Sequence, residues 1–359
     1  MSHPATMRAM TLTDHGGLEK LEWRQDMPVP APKPGEVLIK VGAAAVNNTD
    51  INTRTGWYSK NVRGDTASGA SGGYEASGTA AEGSWAGKPL VFPLIQGADC
   101  CGEIVAVGPG VDEGRIGDRV MVRPIQSHPG ADGEMVTITF GSECNGGFAE
   151  YTTATSRDAI KVTSRLSNVE LASFPCAFST AEGMIQRSQL GAEKVLITGA
   201  SGGVGSAAIQ LAKRRGAHVT AVTTAAKAAD LRALGADETI DRDAALPPRA
   251  FDVVLDLVGG PRWPDLIDSL RDRGRYVTSG AIAGPIVELD LRTLYLRDLT
   301  LIGSTYQPDS VFTDLVGYIE TGEIRPVLAA TYPLDQLRAA QEAFLGKSHV
   351  GKIGITVAD

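Results

Sequence analysis

Val195-Leu196-Ile197-Thr198 runs into Gly199-Ala200-Ser201-Gly202-Gly203-Val204-Gly205, and then into a stretch with Val204, Ala208, Leu211 and Ala212 on one face. A short β-branched strand, a turn of small residues and a helical period make an anion-binding site. The first N–H groups of a helix have no intrahelical partner, and its N-terminus carries partial positive charge. Ala200, Ser201, Gly202, Gly203 and Val204 are small enough, or open enough at the backbone, to admit a pyrophosphate closely. The dinucleotide fingerprint is G-x-G-x-x-G, and here Ala200 takes its first position. The end of the next strand then selects the dinucleotide. An NAD site places Asp or Glu there, about 20 residues on, against the ribose 2′-hydroxyl. This chain has Thr223 and Thr224, with Lys227 within a turn and Arg242 after the following strand. Hydroxyls and cations suit a 2′-phosphate, so NADPH is the expected cofactor. Lys227 also fits a solvated lysine at a helix start.

Such a loop needs a sheet behind it. From about residue 165, helical stretches alternate with short apolar strands: His218–Val222, Phe251–Asp256 and Gly274–Thr278, with helices over 225–234 and 264–270. That alternation implies a parallel, doubly wound α/β sheet. The preceding part differs. Val37–Val41, Gly102–Gly108 and Val120–Val122 are short strands separated by Gly/Pro turns, and residues 7–56 read as strands and turns, which suggests a compact β-barrel-like domain. The closing segment Gly351–Val357 is expected as a last strand of that first domain. The expected division is therefore 1–160 with 307–359, and 161–306 for the nucleotide.

Composition narrows the function. The 359 residues carry 34 Lys plus Arg against 42 Asp plus Glu, a net charge of −8, which argues against a nucleic-acid partner. No run of ~18 apolar residues is present, so no membrane-spanning helix is expected, and the first residues do not look like a secretory signal. Cys100, Cys101, Cys144 and Cys176 make a poor disulfide framework, and a cytoplasmic protein is expected. Glycine is abundant, at 42 residues, and seven of these lie in the Ser/Ala-rich stretch 64–87. This stretch is expected as a flexible insertion: either a mobile flap over a substrate cleft, presenting Tyr74 or Trp85, or a disordered surface excursion.

Taken in order, Pro34-Gly35-Glu36-Val37-Leu38-Ile39, Ala45-Val46-Asn47-Asn48-Thr49-Asp50, Gly102–Gly108, Gly117-Asp118-Arg119-Val120, Gly146-Gly147-Phe148-Ala149-Glu150-Tyr151, the Gly202 loop, Leu234-Gly235-Ala236 and Gly351-Lys352-Ile353 resemble the medium-chain dehydrogenase/reductase superfamily, and within it the zinc-free quinone oxidoreductase branch. The resemblance spans nearly the whole chain. It implies a GroES-like β-barrel catalytic domain followed by a Rossmann domain, and a homodimer joined through the strand at 299–303.

The zinc members place metal ligands where this chain has Asn47, the Gly97-Ala98-Asp99 motif and Cys176. A catalytic zinc needs about three N, S or O ligands, and an amide, a methyl and one thiol do not supply them, so no metal is expected. Without a Lewis acid, hydride transfer favours an electrophilic small molecule that delocalises its own charge, such as a quinone or an α,β-unsaturated carbonyl. By resemblance, Asn47 and Thr49 stand beside the reacting centre as hydrogen-bond donors, or else form a polar turn satisfying its own backbone. Tyr58 lies where relatives carry a substrate-side tyrosine. Thr180, Ser279 and Gly280 hold the nicotinamide, and Val258 faces the cofactor. The alternatives are an enoyl thioester or enone reductase dedicated to one metabolite, and a non-catalytic NADPH-binding relative.

Overall fold

The computed structural model describes residues 3–74, 83–129 and 133–357. The first half contains β1 (Thr6–Leu12), β2 (Leu21–Pro28), β3 (Glu36–Val46), α1 (Asn48–Thr55), β4 (Leu94–Ile95), β5 (Cys101–Val107), β6 (Arg119–Val122), the hairpin β7 (Ile125–Pro129) and β8 (Met135–Thr139), β9 (Tyr151–Thr155) and β10 (Ala159–Lys161). In β3, Val37, Ile39 and Val41 alternate into one apolar core, as the two-residue period of a strand dictates. Adjacent Cys100 and Cys101 enter different cores for the same reason.

The helices α2 (Asn168–Leu171) and α3 (Pro175–Ser188) lead into the second half. There β11 (Lys194–Ile197), α4 (Gly203–Arg214), β12 (His218–Thr223), α5 (Ala228–Ala233), β13 (Glu238–Asp241), β14 (Phe251–Asp256), α6 (Trp263–Ser269), β15 (Leu270–Thr278), α7 (Leu291–Leu296) and β16 (Thr300–Gly303) alternate strand and helix. The sheet order is β13-β12-β11-β14-β15-β16, and every neighbouring pair is parallel. The order reverses between β11 and β14, so the loops leaving those two strands open a crevice, the place where doubly wound sheets take nucleotides. The chain closes with α8 (Asp309–Glu320), β17 (Leu328–Pro333), α9 (Leu337–Leu345) and β18 (Lys352–Thr356). β18 pairs antiparallel with β3, so the last strand does return to the first sheet.

Two expectations need correction. Residues 48–55 form α1, not a turn. Asn47 and Asp50 make a reciprocal capping box, with Asp50 Oδ2 accepting from the Asn47 backbone N–H at 2.7 Å. That start signal outweighs the poor helix propensity of Ile51, Thr53 and Thr55. The return to the first domain also comes later than 307. Val311, Phe312, Leu315, Val316 and Ile319 bury the apolar face of α8 in the core shared with α3 and α4, because their spacing aligns them on one side.

Candidate active site

The turn 199–205 is built by backbone that side chains would block. Gly199 has φ of +57°, a left-handed conformation that favours glycine. A Cβ on Gly205 would stand 2.4 Å from the Gly199 carbonyl oxygen, and one on Gly203 would stand 2.6 Å from Lys352 Cδ. Gly202 caps α4 without a side chain, which leaves the helix N-terminus open. Beside it, the buried Asp256 carboxylate accepts from Val258 N at 2.9 Å, Gly259 N at 3.1 Å, the Thr198 hydroxyl and the Tyr276 phenol. Asp256 thereby fixes the loop holding Val258 against Gly199, while the Asp256 carbonyl accepts from Ser279 N at 3.3 Å. Gly280 sits against Leu257. Ala200, Ser201, Gly202, Gly203, Val204, Val258, Ser279 and Gly280 thus come together around one crevice. Thr180, on α3, donates its hydroxyl to the Cys176 carbonyl at 2.7 Å, so only its lone pairs stay available.

Thr223 ends β12, and its Oγ1 is buried without a protein partner. Lys227 does not point to open solvent. Its ammonium donates to the carbonyls of Lys347 at 2.6 Å and His349 at 2.8 Å, and it lies 3.5 Å from Ser201 Oγ. Desolvation, then the Arg242 charge, hold Lys227 below the usual lysine range. Arg242 itself is mostly exposed, with its side chain 3.7 Å from Asp243. Desolvation beside Phe344, then the Lys227 charge, pull Lys347 down to about 8. Burial, then Lys347, Lys227 and Lys352, push His349 down to about 4, so it is neutral at pH 7. His349 Nδ1 is also buried without a partner. Among the described residues, no carboxylate forms an ion pair with Lys227 or Lys347. Cationic groups drawn this close, beside an open helix N-terminus and orphaned polar atoms, fit a phosphorylated dinucleotide. Lys347 and His349 escaped sequence reasoning because they lie 120 and 122 positions from Lys227.

On the other side stand Asn47, Thr49 and Tyr58. The two N–H groups of the Asn47 amide are spent inward, on Asp99 Oδ2 at 2.7 Å and the Ala45 carbonyl at 3.3 Å, and its Oδ1 accepts from Lys352. The donor role expected of Asn47 is therefore corrected: both hydrogens are committed to the interior. Thr49 is half-buried and accepts from the Tyr58 hydroxyl at 3.0 Å, which leaves the hydrogen of Thr49 Oγ1 uncommitted. Burial pushes the Tyr58 phenol up to about 12, so it remains a donor. Asp50 is also pushed up by burial, to about 7, with the Asn47 and Ala98 backbone N–H groups and Lys352 opposing.

The residues present do not fit a zinc ion. Asn47 Oδ1 and Asp99 Oδ2 face the Lys352 ammonium, Ala98 offers a methyl group, and burial followed by the Asp99 charge pushes the Cys176 thiol well up. Zinc takes thiolate, neutral imidazole or carboxylate, and a fixed ammonium at their centre repels it.

The insertion is described at 64–74 and 83–87; residues 75–82 lie outside the described part. Its described flanks are not a loose excursion. Arg54 is fully buried and donates to the Ala70 carbonyl at 3.1 Å, the Gly16 carbonyl at 2.7 Å and Gln341 at 3.0 Å. Thr66 N donates to the Ile282 carbonyl at 3.0 Å, just past Gly280 in the nucleotide-side loop. Trp85 meets Tyr58 edge-on, with ring centroids 6.2 Å apart, and Trp57 meets its other side at 5.7 Å. The described flanks therefore reach Tyr58 through Trp85 and the loop after Gly280 through Thr66.

Known proteins resemble this chain along nearly its whole length. The alcohol dehydrogenase GroES-like domain model matches residues 33–164, and the zinc-binding dehydrogenase model matches residues 203–321. A solved structure from Sinorhizobium meliloti 1021, provisionally named an alcohol dehydrogenase, is 44% identical with a TM-score of 0.86, covering 99% of this chain and 97% of that one. The acryloyl-coenzyme A reductase of Metallosphaera sedula is 29% identical over 364 residues, covering 98% of this chain and 100% of that protein. The quinone oxidoreductase of Homo sapiens is 27% identical over 367 residues, covering 97% of each chain. The chain belongs to the medium-chain dehydrogenase/reductase superfamily, with its GroES-like and Rossmann domains. It is an oxidoreductase of that superfamily's reductase type, which uses a nicotinamide cofactor. No helix among the described residues is long and apolar enough to cross a membrane.

Proposed function

We propose that this protein is an NADPH-dependent, zinc-independent reductase of quinones or α,β-unsaturated carbonyls. NADPH supplies hydride. The chain's own task is to hold the electrophile and receive the negative charge that develops on its oxygen. The observation that carries the reading is the Thr49–Tyr58 pair. The Tyr58 phenol donates to Thr49 and fixes its oxygen, so the Thr49 hydrogen is the donor left for a substrate oxygen. A hydroxyl donor suits an acceptor in which conjugation already spreads the developing charge. Trp57 and Trp85 flank Tyr58 and offer apolar walls to a flat acceptor.

Preference for NADPH over NADH is supported by Lys227 and Lys347, which have no carboxylate ion-pair partner among the described residues, and by Lys227 lying 3.5 Å from Ser201 Oγ. The likeness to an acryloyl-coenzyme A reductase favours a second reading, an enoyl thioester as the conjugated substrate. We further propose a homodimer through β16. It is the edge strand of the parallel sheet, and Ile286, Val287, Leu291, Tyr295 and Leu296, all exposed, precede it in the chain. An oxidation screen with NADPH tests the function across quinones, enones, enoyl thioesters and saturated aldehydes. Turnover confined to conjugated acceptors is expected; fast reduction of a saturated aldehyde would overturn the reading.

A further inference from the structure

Lys352 is 3% exposed and sits at a junction of four elements. Its ammonium donates to the Val46 carbonyl at 2.9 Å, to Asp99 Oδ2 at 2.8 Å and to Asn47 Oδ1. Asp99 is fully buried and serves both halves of the molecule. Its Oδ2 also accepts from the Asn47 amide, while its Oδ1 accepts from the Cys176 backbone N–H at 2.7 Å, at the N-terminus of α3. That helix carries Thr180. The stem of Lys352 fills the space over Gly203, the first residue of α4. Its neighbour Gly351 donates its N–H to the Ser201 carbonyl at 2.9 Å, and Gly351 is bridged to Gly202. One side chain thus touches the start of α1 before Thr49, the β4–β5 loop at Asp99 and the nucleotide loop, and reaches α3 through Asp99.

We propose that Lys352, acting through Asp99, is a positioning residue that sets the separation between the substrate-side start of α1 at 47–49 and the nucleotide loop 199–205. It is not a proton donor. An ammonium has three hydrogens, and all three are committed to Val46, Asn47 and Asp99. None of the polar atoms of Lys352, Asp99 or Asn47 is left buried without a partner, so the network is closed and has one geometry. Hydride transfer is acutely sensitive to the distance between donor and acceptor, and a misplacement of about 1 Å can cost about 100-fold in rate. The side chain spanning both walls of the crevice is therefore the one that fixes this distance. The inference rests on the proposed hydride-transfer function, although the coupling of the two walls can be read without turnover.

The test compares Lys352→Met with the double variant Lys352→Met/Asp99→Asn in the full-length protein. The double variant removes the uncompensated buried carboxylate, so it separates positioning from charge balance. In the double variant we expect native circular dichroism, an NADPH dissociation constant within about threefold of wild type, and kcat reduced about 100-fold. The isotope effect with 4-deuterated NADPH should rise, since hydride transfer becomes limiting. Amide hydrogen exchange should speed up in both 46–52 and 199–206. A double variant with wild-type kcat and wild-type exchange in both segments would overturn the proposal. So would a loss of kcat fully matched by a loss of NADPH affinity. If the wild type reduces no conjugated acceptor, the functional reading fails, and the exchange of the two segments still decides the positioning role.

Discussion

The C-terminal segment 347–352 presents lysines in two opposite electrostatic settings. Lys352 is buried against a fully buried carboxylate, with every hydrogen placed. Five residues earlier, Lys347 stands near Lys227 and His349, and among the described residues neither lysine pairs with a carboxylate. A buried cation neutralised by the protein is structural: its energy is spent on geometry, and removing one partner is costly. Cations that press on one another and are pulled below their ordinary range store unfavourable energy, which an incoming anion relieves. In the functions proposed above, one short segment holds the walls of the crevice in register at one end and meets a phosphate at the other.

The largest effect is expected from breaking the neutralised end. Asp99→Leu leaves Lys352 buried without its counter-charge and should cost about 3–5 kcal/mol of stability, measured by urea unfolding. Adding Lys352→Met should recover most of that loss, and no recovery would show that the pair is not coupled. Thr49→Val removes the hydroxyl proposed to meet the substrate oxygen and should lower kcat about 100-fold on a conjugated acceptor, with NADPH binding unchanged. Equal losses in both would place Thr49 in nucleotide binding instead.

At the uncompensated end, Lys227→Ala should raise the KM for NADPH about 10- to 100-fold, as loss of a charge-assisted hydrogen bond does, and leave NADH untouched. An unchanged cofactor preference would remove Lys227 from the phosphate site. The same end predicts a pH dependence. Lys347 titrates at about 8 in the free protein, and phosphate binding favours its charged form. NADPH affinity is then fully present below pH 8 and weakens as pH rises beyond it, while NADH affinity stays flat; parallel titrations at pH 7 and pH 9 check this.

The smallest effect concerns Asp50, whose folded-state value of about 7 lies above the ordinary carboxylate range. A raised value means that its protonated form stabilises the fold. The contribution is present below about pH 4 and is lost as pH rises through 7. Relative to Asp50→Asn, the wild-type melting temperature should fall by a few degrees between pH 5 and pH 8. A constant difference between the two would contradict the burial of an acid at that position.

Local signals in the sequence were enough to place the nucleotide loop, because strand, turn and helix are contiguous from Val195 to Arg214. They also placed the order of elements and the return of the last strand. The helix at 48–55 was hidden, since its start signal is the Asn47–Asp50 capping pair and its interior is rich in β-branched and polar residues. Asp99 and Lys352 each stand in a recognisable motif, yet their contact joins positions 253 apart and cannot be read from either motif alone. Lys347 and His349 look like ordinary residues of a polar stretch, and only the fold carries them to Lys227. The Asn47 amide shows the converse: its chemistry suits a donor, but its surroundings consume both hydrogens.

The contrast between the two ends of 347–352 is decided by equilibrium titration of the wild-type protein with NADPH and with NADH at pH 7. The uncompensated cations predict a dissociation constant at least about tenfold lower for NADPH, one charge-assisted contact being worth that much. Equal affinities, or tighter binding of NADH, would contradict a 2′-phosphate site at Lys227 and Lys347.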